Sequence, residues 1–450
     1  VVATGPGGVT VLHGPAVLGP DGALDRAESL VVSGDRILSV GRPPAGLRDA
    51  RHVDAAGLAI TPGLVDAHAH LAWASFIPDD DAPDEPGAVP AATREILRST
   101  LARGVVRARD AGGLTARVRD TAAAEGLGPE VDVAVDIIRG DEVAGPDEVR
   151  RRVRATLAAG ATWIKLLATH GVSVPGTGEG GAPVASPEAD GPVDLDPLID
   201  RATMAAAIDE ATAGGARVMV HAWGGPALTD AIELGAASIE HGMLLTERDA
   251  AAAAAAGCWF VPTVTIYRDV AAMAEAGELP PAIGARARRA AAAHADAVAI
   301  ARRAGLRIAA GTDFSSLETH GKVVREIASL VRCGLPVAEA WRAATVAGHA
   351  LLDGDAPAGG GSSQDDRASM VGRTMPGGRS APGTARQPAS ATGSDSPTRY
   401  APPRGVIAPG ARADLAAWPV DPTDAAALAD GPEPRFVVVG GRLLEPRAPA

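Results

Sequence analysis

Aromatic side chains are scarce in this sequence of 450 residues, where six Trp, four Phe and two Tyr make up 3% of the chain. A large core must then be filled mainly by Ala, Val, Leu and Ile, as in the layered interior of a parallel barrel. Cysteine is scarcer still. Cys258 and Cys333 stand far apart in different predicted elements, which argues against a disulfide framework and for a reducing, cytoplasmic setting. Basic residues are in deficit, with 42 Lys and Arg against 55 Asp and Glu, for a net charge of −13. That balance disfavours a nucleic-acid groove or an anionic membrane surface. It leaves a small molecule as the expected partner, with a homo-oligomer open. No apolar run approaches the roughly 18 to 20 residues that cross a bilayer, so no membrane span is expected. A Gly-rich phosphate turn after the first parallel strand is missing too, which disfavours an open doubly wound sheet.

What is present is a change of texture along the chain. Residues 1–61 carry short β-branched runs separated by turn signals such as Asp21-Gly22 and Ser33-Gly34. Residues 405–450 have the same texture, and the two ends are expected to pair as one composite β-sandwich domain. Between them, over 62–354, short β-branched runs alternate with Ala-rich helical stretches such as the one that follows Thr246-Glu247-Arg248-Asp249. Strands are predicted at 105–109, 131–138, 161–167, 218–221, 238–241, 259–265 and 306–312. With the strand ending at His70 these make eight, the count of a (β/α)8 TIM barrel. Residues 355–404 stand apart. Crowded with Gly, Ser, Pro, Arg and Asp, they read as a disordered low-complexity insertion.

The most informative stretch is Thr61-Pro62-Gly63-Leu64-Val65-Asp66-Ala67-His68-Ala69-His70. Side chains alternate faces along a strand, so His68 and His70 project to the same side, which is how a strand end offers a metal two nitrogens. One such pair is weak evidence by itself. In barrels of this type the chemistry sits at the carboxyl ends of the strands, so the test is what terminates the others. The fourth strand carries Lys165 inside an apolar run, where a lysine is costly unless paired or modified. The fifth ends at His221, the sixth at His241 and the eighth at Asp313. Independent accidents would not all fall at the same end of different strands.

These motifs together, His-x-His after Thr-Pro-Gly-Leu-Val-Asp, the Ile-Lys strand, His-Ala-x-Gly, Ile-Glu-His-Gly and Gly-Thr-Asp, resemble the metal-dependent amidohydrolase superfamily. The lysine strand, Arg109-Asp110-Ala111-Gly112-Gly113 and Val261-Pro262-Thr263 are similar to its prolidase-type and imidazolonepropionase-like branch. The resemblance implies that His68 and His70 hold the more buried of two divalent metals and that His221 and His241 hold the second. It further implies that Lys165 is carboxylated and bridges the two, and that Asp313 ligates and shuttles the proton. A companion sandwich from both chain ends is also implied.

The chemistry is coherent on its own terms. Imidazole and carboxylate suit Zn²⁺, and a carbamate formed on Lys165 by CO₂ would turn a cation into an anionic bridging ligand. Two metals about 3.5 to 4 Å apart would lower the pKa of a bridging water toward 7. We therefore expect an amidohydrolase that cleaves a C–N bond by attack of a metal-bridging hydroxide, with Asp313 passing the proton to the departing nitrogen. The expected substrate is a dipeptide or N-acyl amino acid. Cyclic-amide hydrolysis with one metal is the alternative, and an inactive scaffold is another. Candidate substrate contacts are His170 after the lysine strand, His320 in the loop after Asp313, and Arg139, which either pairs with a carboxylate or faces water. Trp223 stands where relatives often carry Tyr or His and implies a flatter, more apolar wall. The loop 176–191 reads as a lid or as a surface excursion.

Overall fold

The computed structural model describes residues 2–3, 8–75, 88–172, 195–354 and 403–445. Most of the insertion predicted at 355–404, and all of the loop at 176–191, lie outside these residues. Nine parallel strands are described between Leu64 and Ile308, in two hydrogen-bonded sheets. Leu64–Ala69, Val105–Asp110 and Glu130–Val133 form the first sheet. The second holds Ile137–Arg139, Trp163–Leu167, Arg217–Ala222, Ser238–His241, Trp259–Val261 and Arg307–Ile308. Further backbone bonds join the two. On one side Thr162 N donates to Val133 O at 2.8 Å, and on the other Ala67 N donates to Ala310 O at 2.9 Å and Thr312 N to His68 O at 3.0 Å.

Alternation along these strands divides the core. Leu64, Ile164, Val218 and Ile239 pack with helix residues such as Ile96, Met204, Leu228 and Val324 in the main cluster. Their neighbours Val65, Trp163 and Met219 belong to a separate cluster with Val261 and Ala309, joined by Leu351 and Leu352 from the helix Val346–Asp353. Both faces of Leu64–Ala69, Trp163–Leu167, Arg217–Ala222 and Ser238–His241 are therefore buried, the normal condition of a parallel sheet covered by helices. The helix Glu247–Ala256 begins as its sequence implies. Thr246 Oγ1 accepts from Asp249 N at 3.2 Å, and Gly257, with φ 72°, ends it.

Three strands depart from their predicted lengths. The run 131–138 is broken at Val135, whose φ of 66° leaves Glu130–Val133 and Ile137–Arg139 as separate strands. The run 259–265 stops at Val261 because Thr263 has φ 50° and a helix, Val264–Glu275, starts immediately after it. That helix is capped from a distance, by the buried Glu326 carboxylate accepting from Val264 N and Thr265 N at 2.8 Å each. The run 306–312 forms a ladder only over Arg307–Ile308, and its remainder bonds to the first strand instead.

The two chain ends share a sheet. Leu415–Trp418 lies antiparallel to Ala59–Pro62 on one side and to Phe436–Val439 on the other. A four-stranded sheet runs in the order Arg36–Gly41, Ser29–Ser33, Val9–His13, Arg51–Asp54. One apolar cluster draws on both, with Leu12, Leu30 and Ile37 from the second sheet and Ile60, Leu415, Phe436 and Val438 from the first.

Candidate metal centre

The carboxyl ends of the first and last parallel strands are locked together by Asp66. Its carboxylate accepts from His68 N at 3.2 Å, Thr312 N at 3.0 Å and Thr312 Oγ1 at 2.7 Å. Those bonds bring Asp313 against the histidine pair, with its Oδ1 3.2 Å from His70 Nε2 and 3.4 Å from His68 Nε2. Ligand atoms of His68, His70 and Asp313 all lie within 4.8 Å of one another. The next strand supplies the frame. Asp110 accepts from Leu71 N, Gly112 N and Leu114 N at 2.7 to 3.1 Å, and the turn so held presents Gly112 O to His70 Nδ1 at 2.9 Å. Trp73 stacks on the His70 ring at 3.9 Å with the planes 5° apart.

The remaining candidates complete the pocket. Lys165 is buried, with Nζ 3.4 Å from His68 Nε2, and burial lowers its pKa to about 8. The ring centroids of His68 and His241 are 5.2 Å apart, and those of His241 and His221 4.4 Å. His241 Nδ1 lies 2.7 Å from Thr263 Oγ1 and 4.0 Å from Asp313 Oδ2. Burial pushes the His221 pKa down to about 3 and that of His241 well below its ordinary value, so both stay neutral and can donate a lone pair. Burial alone would raise the pKa of Asp313, but its close approach to the rings of His68, His70 and His241 outweighs it and holds the carboxyl well below its ordinary range.

The backbone is bent where these side chains gather. His241, Thr263 and Asp313 have φ of 72°, 50° and 56°, a left-handed region that non-glycine residues avoid at some energetic cost. At His241 the bend breaks the strand's alternation, since Ile239 packs among helices while Ser238 and Glu240 already face inward.

A divalent cation fits this donor set. His221 Nε2 is buried with no hydrogen-bond partner among the described residues, and the Nδ1 atoms of His68 and His70 are engaged by Glu240 and Gly112, which leaves their Nε2 atoms to the pocket. Buried polar nitrogens left free in this way are costly unless something binds them.

The weaker candidates fall elsewhere. Arg139 is tied to Asp141 and Glu142 at 3.0 Å each. His320 is buried with Nε2 2.9 Å from Trp73 O, so it supports the residue that stacks on His70. His170 is half-buried, and its backbone bonds the His221 ring. Trp223 is fully buried, donates from Nε1 to Tyr267 Oη at 3.1 Å and lies 5.4 Å from the Arg286 guanidinium. Sequence reasoning passed over Glu240, Arg109, Thr263 and Tyr267. A signal existed for the first two, because opposite charges in otherwise apolar strands are tolerated when they pair.

The sequence pattern of the amidohydrolase family matches residues 59–359, and the chain belongs to that family, with a TIM-barrel-type fold. An uncharacterized protein of Mycobacterium tuberculosis is 37% identical over 176 residues, which cover 39% of this chain and 46% of that protein. The chain thus spans about half the length of the curated relatives it matches. Among solved structures, an uncharacterized protein matches with a TM-score of 0.74 at 26% identity, over 98% of this chain and all of the other. A prolidase complexed with N-methylphosphonate-L-proline matches with a TM-score of 0.73 at 24% identity over the same shares, a likeness of fold.

Proposed function

We propose that this chain is a prolidase-like amidohydrolase that cleaves the C–N bond of a dipeptide or N-acyl amino acid. The observation that carries the reading is the convergence of four imidazoles, Lys165 and Asp313 at the carboxyl ends of parallel strands. His68, His70 and Asp313 would hold one divalent ion, His221 and His241 the other, and a carbamate on the buried Lys165 would lie between them. Zn²⁺ suits this set. Bound there, the ions supply an activated water at neutral pH and polarise the scissile carbonyl.

The chain's own groups do the rest. Asp313 Oδ1, within 3.4 Å of two imidazole nitrogens, accepts the proton released as water attacks and delivers it to the departing amine. Trp223 would contribute an apolar backing, through Tyr267, whose ring lies 5.8 Å from that of His241. His170, whose backbone bonds the His221 ring, would stand on the substrate side. Arg139 would meet a substrate carboxylate only by giving up Asp141 or Glu142, and His320 would act through Trp73. The two parallel sheets are read as one closed (β/α)8 barrel over 62–354, and the sheets of 1–61 and 405–450 as its composite β-sandwich. Both cysteines are free and buried, in keeping with a cytoplasmic enzyme acting on a small molecule.

A second reading, opening of a cyclic amide with one metal, is favoured by one observation. Among the described residues only His68, His70 and Asp313 form a compact group of three ligand atoms. Metal analysis of purified protein separates the readings. About two equivalents of zinc supports the first, one supports the second, and none on a folded sample points to an inactive scaffold. Turnover of dipeptides, N-acyl amino acids, lactams and hydantoins by the metal-loaded protein then identifies the bond, and hydrolysis of lactams alone would overturn the prolidase-like reading.

A further inference from the structure

Beneath His68 lies a group of charges that the proposed chemistry does not use. Glu240 is fully buried, and each of its oxygens has two partners. Oε1 accepts from Arg109 at 2.9 Å and from Ser238 Oγ at 2.5 Å, while Oε2 lies 3.1 Å from the same Arg109 nitrogen and 2.6 Å from His68 Nδ1. Arg109 is equally buried. Its Nε donates to Ala67 O at 2.6 Å, one terminal nitrogen donates to Ser238 Oγ at 3.0 Å, and the guanidinium lies 4.4 Å from the Trp163 ring centroid. The three side chains come from three strands, Leu64–Ala69, Val105–Asp110 and Ser238–His241.

We propose that Glu240 is a positioning residue that fixes the tautomer of His68, and that Arg109 makes it one. A carboxylate already neutralised by a guanidinium can only accept at its second oxygen, so His68 Nδ1 must carry the proton. The lone pair is thereby confined to Nε2, the atom that faces Lys165 Nζ and Asp313. Left to itself a neutral imidazole has two tautomers, and the other one points a proton at the place where the proposed ion would sit. Second contacts of this kind set ligand orientation and are worth roughly 10- to 100-fold in metal affinity. The inference rests on the metal reading above, but the tautomer can be read without any metal.

The discriminating variant is Glu240→Gln, which keeps shape and removes charge. An amide has one oxygen, and turning it toward His68 would set the NH₂ against the Arg109 nitrogen that now donates to Oε1 at 2.9 Å. The guanidinium claims it, the NH₂ turns to His68 Nδ1, and the ring is driven to the wrong tautomer. Removing that claim in Arg109→Met/Glu240→Gln frees the amide oxygen to accept from Nδ1 again. We expect Glu240→Gln to weaken zinc binding roughly 10- to 100-fold by chelator competition, with the double variant tighter than the single. Imidazole ¹⁵N spectra of metal-free protein should place the His68 proton on Nδ1 in the wild type and on Nε2 in Glu240→Gln. A wild-type proton on Nε2 overturns the inference even if both variants fail to fold, and so does a folded Glu240→Gln with unchanged zinc affinity. A wild type that binds no zinc but keeps the proton on Nδ1 would instead sink the metal reading and leave the tautomer assignment standing.

Discussion

The two halves of the candidate centre are built differently. On the His68 and His70 side every Nδ1 meets a fixed acceptor, and Asp66, Asp110 and Glu240 stitch the surrounding strands together. On the His221 and His241 side the support is lighter, Thr263 Oγ1 at His241 and the His170 backbone at His221, and the buried His221 Nε2 has no partner among the described residues. The first half is preorganised by the protein, whereas the second is arranged so that a ligand must complete it. A site that keeps one half rigid retains its geometry while the other half accommodates substrate and ion.

The largest expected effect lies where the halves meet, at Asp313. Asp313→Asn should keep its zinc and lose about 10²- to 10⁴-fold in turnover; an unchanged rate would remove Asp313 from the proton path. Acid should press next on the less supported half. His221, with His294 and His349, is held at a pKa of about 3 and His320 at about 4, in each case chiefly by burial. A depressed base binds its proton in the unfolded chain before the folded one, so this stability is complete above about pH 6.5 and is lost as pH falls toward 3 to 4. Each such imidazole weakens the fold by about 1.4 kcal/mol per pH unit. Burial of Asp66 and Glu326, raised to about 6 and about 7, works the other way, giving stability that fades as pH rises through those values. His241 is lowered and Asp110 and Asp132 are raised in the same ways, and five depressed imidazoles against four raised carboxylates predict a melting temperature that drops between pH 6.5 and 5, most clearly in metal-free protein; a flat or rising profile would contradict this.

Single histidine replacements sharpen the contrast further. His68→Ala leaves the buried Glu240 with one partner fewer and should cost about 1 to 3 kcal/mol on top of the lost ring contacts. His221→Ala strands no partner at Nε2, so zinc stoichiometry should fall with a smaller change in denaturant midpoint. Equal destabilisation by the two would show that the halves are not built differently after all. The smallest effect is assigned to Thr263→Val, which removes the acceptor at His241 Nδ1. It should loosen zinc at that half by about tenfold or less, the value of one hydrogen bond, as read by isothermal titration.

Much of this arrangement was open to a reader of the sequence, and for local reasons. A period of two puts His68 and His70 on one side, a lysine in an apolar run is conspicuous, and the ends of β-branched runs mark where His221, His241 and Asp313 stand. What escaped was whatever depends on which side chains meet once the chain has folded. Arg139 reads as a free cation until Asp141 and Glu142 fold back on it, and His320 reads as a loop ligand until its ring turns under Trp73. The helix that cuts short the strand Trp259–Val261 is capped by Glu326, contributed by a helix much later in the chain.

By itself, then, the amino-acid order determined which side chains would stand at the strand ends and of what chemical kind they are, because strand geometry is set by neighbours in the chain. Only the tertiary structure decided which nitrogen of each imidazole faces the pocket, which charges neutralise one another beneath it, and where the backbone bends to admit His241 and Asp313. Those outcomes depend on burial and on partners brought together from remote segments, and the free-energy cost of an unpaired buried group is felt only once the chain has closed around it.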